Sequence, residues 1–213
     1  MIQELYLIGT VPFDLQGPAR LEKLLHHLKP DQITIEMDAE RIVEIDYINL
    51  HSVFPQSFEA LFQRLRQSYP NLHPKTGKQL LRNYGYEYIE AVSYCNVKRA
   101  SLICIDNFDT VRFEEKNIDL AELLANTPEH LQQRAENIYQ GIWPELENKE
   151  EKISVMEFRD TLAAQKIRSC QGKVVHIGDM RHLNWEDDYF NLARRLYDLN
   201  PIRVRLNQAE QLK

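Results

Sequence analysis

Three cysteines in 213 residues, Cys95, Cys104 and Cys170, are too few and too scattered for a disulfide framework or a C-x-x-C zinc site, so a reducing compartment is the expectation. Positive charge is also short. Lys and Arg number 26 against 32 Asp and Glu, a formal charge of -6, which argues against a nucleic-acid footprint and against a polybasic membrane surface. No apolar run approaches the roughly 18 residues of a membrane helix, and no basic segment followed by an apolar core opens the chain. The expectation is a soluble, cytoplasmic protein without a membrane segment. Internal repeats and low-complexity tracts are missing. The "TGK" at 76–78 is no phosphate-binding loop, because Leu72 stands where the first Gly is needed and Gln79 where a Ser or Thr is needed.

What is present is a chain with 43% hydrophobic residues, enough for one well-buried core and a single domain over 1–213. Short apolar runs at 4–8, 33–35, 101–105, 173–177 and 202–206 are rich in Ile, Val, Leu and Tyr and bounded by Gly, Asp, Asn or Pro, the pattern of strands. Between them lie amphipathic segments. "PARLEKLLHHL" sets Leu21, Leu24, Leu25 and Leu28 on one stripe, and "WEDDYFNLARRLYDL" sets Phe190, Ala193, Leu196 and Tyr197 on another. Strands separated by helices predict an α/β fold with a mainly parallel central sheet flanked by helices. Two long, mostly helical stretches, about 42–98 and 110–170, read as insertions between strands. The charged "ELENKEEK" at 145–152 reads as a solvated surface.

Ligands of open parallel sheets bind beyond the carboxyl ends of the strands, so the residues ending each run are the first candidates. They are Gly9 and Thr10; Glu36, Met37 and Asp38; Asp106 and Asn107; and Gly178 to His182. Carboxylates with an imidazole supply ligands for a divalent metal or an acid/base pair for a bound water, and composition does not separate the two. Each residue alone has a structural use: Glu36 or Asp38 as the N-cap of the next helix, His182 as a capping or surface residue. Joint placement of Glu36, Asp106 and His182 is what favours function. His51, His73 and His176 are further imidazoles, His176 falling within a strand and expected to point into the sheet layer.

The segment "LYLIGTVPFD…LHHLKPDQITIEMDAER" resembles the opening of the TraB/PrgY/GumN family, relatives of the Tiki metalloproteases, whose members read Gly-Thr-x-His, then Lys-Pro-Asp, a strand, and Glu-Leu-Asp-x-x-Arg. Lys29-Pro30-Asp31 and Glu36-Met37-Asp38 with Arg41 fit that pattern. "GYEYIEAVSYCNVKRASLICID" is similar to the family's Gly-x-Glu helix and following strand, which points to Gly85, Glu87 and Asp106. "EFRDTLAAQKI" resembles its Arg-Asp helix, giving Arg159 and Asp160, and "VVHIGDMRHL" its closing His segment, giving His182. The resemblance covers nearly the whole chain in order. It implies a ChaN-like or erythromycin-esterase-like domain and a metal-dependent, peptidase-like hydrolase. The catalytic residues would be Glu36, Glu87 (as general base), Arg159 and His182, and the metal ligands Glu36, Asp106 and His182, holding manganese, cobalt or zinc. Substrate would meet Gly9, Thr10, Asp38, Arg41 and Arg181. Three departures mark this chain: Pro12 replaces the first His, Arg181 replaces the Gly before the second with one residue of added spacing, and Asn107 replaces Arg. They leave open a non-catalytic module binding a peptide or small anion, and a partner that is a peptide, a small molecule or, as a homodimer, a second copy.

Overall fold

The computed structural model describes residues 1–105, 120–143, 149–183 and 191–212, with the side chains of 149–156 excepted. Five strands form one sheet: β1 (Ile2–Thr10), β2 (Gln32–Ile35), β3 (Ser101–Cys104), β4 (Gly172–Asp179) and β5 (Ile202–Arg205). Every pairing is parallel and the order is β3-β2-β4-β1-β5, so all five carboxyl ends lie at one edge. The described helices are α1 (Gly17–Leu28), α2 (Ala39–Ser52), α3 (Pro55–Ser68), α4 (Pro74–Arg82), α5 (Tyr86–Lys98), α6 (Leu120–Ala125), α7 (Pro128–Tyr139), α8 (Lys149–Arg168) and α9 (Leu192–Arg195). None is long and apolar enough to cross a membrane. The expected α/β class with a parallel sheet holds.

Local chemistry sets the boundaries. Pro18 sits in the first turn of α1, where a missing N–H is harmless. The helix ends at Lys29 in the left-handed conformation, φ 52°, and Pro30 prevents it from continuing. Its buried stripe is the expected one, Leu21, Leu24, Leu25 and Leu28. Pro55, Pro74 and Pro128 likewise open α3, α4 and α7. Of the long helix expected over 185–199, residues 185–190 lie outside the described residues, and the described part holds α9 alone as an α-helix. Asn191 caps α9 by accepting from the Arg194 N–H at 3.2 Å, and α9 has one turn; Ala193 and Leu196 are buried while Tyr197 faces solvent. Phe190, the first residue of that stripe, lies outside the described residues.

Strand alternation gives each face of the sheet its own core, and a third, smaller cluster of Phe62, Leu72 and Leu124 lies among the helices. On one face Ile8, Ile33, Ile35, Val175 and Ile177 pack with α1, α5 and α7; on the other Leu5, Leu7 and Val174 pack with Ala163, Ala164 and Ile167 of α8 and with α9. The residues between the first set on β2 and β4 therefore face α8. These are Thr34, Glu36 just past the strand, His176 and Gly178: a polar row on an otherwise apolar side.

Candidate functional site

Parallel pairing sets Thr34 opposite His176 and Ile35 opposite Ile177, although about 140 residues separate them. His176 is fully buried, and its Nδ1 lies 3.1 Å from the Thr34 hydroxyl while its Nε2 lies 3.2 Å from Glu36 Oε1. Gly178 makes room for this contact: a Cβ there would stand 2.7 Å from His176 Nε2 and 2.8 Å from Glu36 Oε1. The other Glu36 oxygen, Oε2, meets His182 Nε2 at 3.3 Å and the Arg159 guanidinium at 3.9 Å. His182 belongs to a 3-10 turn, Met180–Leu183, that follows β4 at once, and its Nδ1 pairs closely with Asp160 Oδ1 from α8. Asp160 is 1% exposed, and its Oδ2 has no hydrogen-bond partner among the described residues.

Electrostatics follow from this chain of contacts. Burial alone would strip His182 of its proton, but the carboxylates of Asp160 and Glu36 on its two ring nitrogens lift its pKa to about 10. Burial alone would likewise raise Glu36, yet the charge of His182, the bond and charge of His176 and the charge of Arg159 hold it down to about 2. The imidazolium thus bridges two carboxylates. Glu36, Asp160 and His182 each present a ligand atom, all within 4.8 Å of one another. An unpartnered buried carboxylate oxygen beside a second carboxylate and an imidazole is a donor set that suits a hard or borderline divalent cation, and these residues fit the metal that the resemblance implies once His182 gives up the proton on one ring nitrogen, since an imidazolium has no lone pair to offer.

The cleft above the sheet edge has a cavity volume of about 70 Å³ and is lined by the carboxyl ends of β1, β2 and β4 with contributions from α2, α5 and α8. It admits a reacting group and a water and is far smaller than a drug-sized ligand. Thr10, Glu36, Arg41, Glu87, Arg159 and His182, all expected at the site, line it together, and so does Pro12. Pro12 is held there by a buried polar cluster. Asp14 accepts from Gln16 N–H at 2.9 Å, Gln132 at 2.9 Å, Arg20 at 2.9 Å and the Tyr139 hydroxyl at 3.0 Å, which fixes the loop leaving β1.

Other expected residues have different places. Asp38 caps α2, accepting from the Arg41 N–H at 2.8 Å, which is the structural use open to it from the start. Gly9 lies inside β1, where a Cβ would strike Met180 and Leu183. Arg181 lays its guanidinium over the Trp143 ring at 5.4 Å. Asp106, named as a metal ligand, and Asn107 lie outside the described residues. His51 packs on Tyr47 and His73 caps α4, so the imidazole that joins Glu36 besides His182 is His176. From the sequence alone His176 is expected only to point into the sheet layer. The signal that would have found it is its parity with Gly178 on β4, combined with the parity of Thr34 and Glu36 on β2. Set against known proteins, the chain matches no family model, no curated protein and no solved structure.

Proposed function

We propose that this cleft is the active site of a metal-dependent hydrolase of the TraB/PrgY/GumN type, acting on a peptide or a small carbonyl compound. The observation that carries the reading is the buried Asp160–His182–Glu36 chain, with one Asp160 oxygen left without a partner beside it. Glu36, Asp160 and His182 would hold manganese, cobalt or zinc. When bound, such an ion acts as a Lewis acid and lowers the pKa of water. The chain's own residues do the rest. Thr34 fixes the His176 ring, His176 and Arg159 fix the Glu36 carboxylate, and Arg159 and Arg41 present guanidinium groups to a substrate carboxylate or a developing oxyanion.

A second reading rests on Pro12. It occupies the cleft where the family pattern has a histidine, and proline supplies neither a metal ligand nor a proton acceptor. On this reading the chain binds a peptide or small anion and does not catalyse. Incubation of the purified protein with unstructured peptides and simple esters, with and without added manganese, cobalt or zinc, separates the two. The hydrolase reading expects turnover that depends on the cation and is lost in Glu36→Gln. Saturable binding of a peptide with no turnover under any cation supports the second.

A further inference from the structure

Helix α2 is apolar on two opposite faces. One face carries Ile45, fully buried, with Ile42 packed against the core beside it. The other carries Val43, Tyr47 and Leu50 at the i, i+4 and i+7 spacing of a single stripe, and Val53 and Phe54 follow where the helix ends. These five side chains are between 47% and 70% exposed. Twelve large apolar side chains are exposed among the described residues, and five of them fall between 43 and 54. Single apolar residues scattered on a surface need no account, but a helix that is apolar all round is ordinarily covered.

We propose that a second copy of this chain covers the stripe, with α2 packed antiparallel against its counterpart about a two-fold axis at Tyr47. Composition selects a protein over a membrane. The stripe itself carries no charge, it includes two aromatic rings, and no lysine occurs between Lys29 and Lys75. Protein interfaces are rich in Tyr and Phe and poor in Lys, whereas a helix that lies on lipid carries Lys and Arg on its polar face. The α2 flanks carry Glu40, Glu44 and Asp46 instead, which an anionic lipid surface repels. The stripe is also complementary to itself. Rotation about Tyr47 sets Val43 against the second copy's Leu50, twice over, as an isologous contact requires. It also brings Glu44, whose Oε2 accepts from the Tyr84 hydroxyl at 2.8 Å, beside the second copy's His51, an acceptor opposite a ring N–H. Area points the same way. Side chains of these kinds at this exposure give on the order of 400–500 Å² of apolar surface per copy. Two copies with the polar rim of α2 reach about 1,200 Å², the lower end of a stable interface. Pairing does not depend on what the cleft catalyses, so a monomer leaves the hydrolase reading untouched.

Sedimentation velocity over a dilution series tests the pairing, on wild type, Leu50→Lys, Val43→Lys and a control, Val97→Lys, which changes an exposed apolar residue of α5 outside the stripe. Circular dichroism checks that each variant is folded, and the substituted side chains are exposed enough for that to be expected. The expected result is a concentration-dependent dimer of wild type with a dissociation constant on the order of micromolar. Leu50→Lys and Val43→Lys should each weaken it about a hundredfold or more, since every substitution enters the interface twice, while Val97→Lys pairs like wild type. A wild type that stays monomeric at every concentration overturns the proposal, and so does a dimer that survives in folded Leu50→Lys and Val43→Lys. Flotation with vesicles of phosphatidylcholine, alone and mixed with phosphatidylserine, runs alongside. A monomer that floats with either, and no longer does so as Leu50→Lys, assigns the stripe to a lipid surface and overturns the second copy.

Discussion

The molecule carries two buried polar clusters, one around Asp14 and one around His182, and they are built differently. Around Asp14 every acceptor is used: both carboxylate oxygens take two donors each, and Arg20 is shared further with Glu136 at 2.6 Å and with Glu210. Around His182 the accounts do not close. Asp160 keeps an oxygen without a partner, and the Glu36 to Arg159 contact is a long 3.9 Å. Buried polar groups in a structural cluster are satisfied almost without exception, whereas a site that must receive a ligand holds some capacity back. The first cluster holds the loop that carries Pro12; the second faces what enters the cleft.

The largest expected effect breaks the saturated cluster. Asp14→Ala leaves Arg20, 5% exposed, without its most buried partner and should lower stability by about 3–5 kcal/mol in urea unfolding. A loss below about 1 kcal/mol would mean that Glu136 and Glu210 carry the cluster without Asp14. Next is Gly178→Ala. Its Cβ meets His176 and Glu36 at sub-van-der-Waals distance, so a loss of about 1–3 kcal/mol is expected together with weakened cation binding. Unchanged cation affinity would show that the Glu36 to His176 contact is dispensable to the site. Pro12→His adds an imidazole to the lining of the cleft and should tighten binding of manganese, cobalt or zinc about tenfold or more, equivalent to about 1.4 kcal/mol; equal affinities in calorimetry would place the added ring out of reach of the ligands.

The smallest effect concerns pH and Glu87. A glutamate whose folded pKa is raised contributes stability that is fully present below the unfolded-state value of about 4.3 and is lost as pH rises through the folded value. Glu87→Gln cannot lose it. The stability of wild type relative to Glu87→Gln should therefore fall as pH is raised from about 4 toward neutrality. A constant difference across that range would show that Glu87 ionises normally.

Much of the architecture was legible because parallel strands buried on both faces read as brief apolar runs. All five expected runs are strands, and β1 and β4 extend beyond them because they pair with each other from Ile2 opposite Gly172 to Thr10 opposite Asp179. The gathering of Thr10, Glu36, Arg41, Glu87, Arg159 and His182 followed from the carboxyl edge and from the family resemblance. What could not be read was register. Nothing in "QITIE" says that its neighbour is "VVHIG", and without that pairing Thr34, His176 and Glu36 are three unrelated residues. Loop contacts were equally hidden: nothing in the sequence pairs Arg181 with Trp143, over whose ring its guanidinium lies. Asp38 shows the limit of motif matching, since its side chain serves the start of α2.

The central claim is that the Glu36, Asp160 and His182 cluster is a cation site and not a finished ion-pair network. Calorimetric titration of protein stripped by chelator with manganese, cobalt or zinc tests it most directly, with His182→Ala and Asp160→Asn measured alongside and their folding checked by circular dichroism. The account predicts one cation per chain for wild type and at least a tenfold loss of affinity in each folded variant. Absence of binding by wild type for all three cations, or equal binding by wild type and both variants, would contradict it.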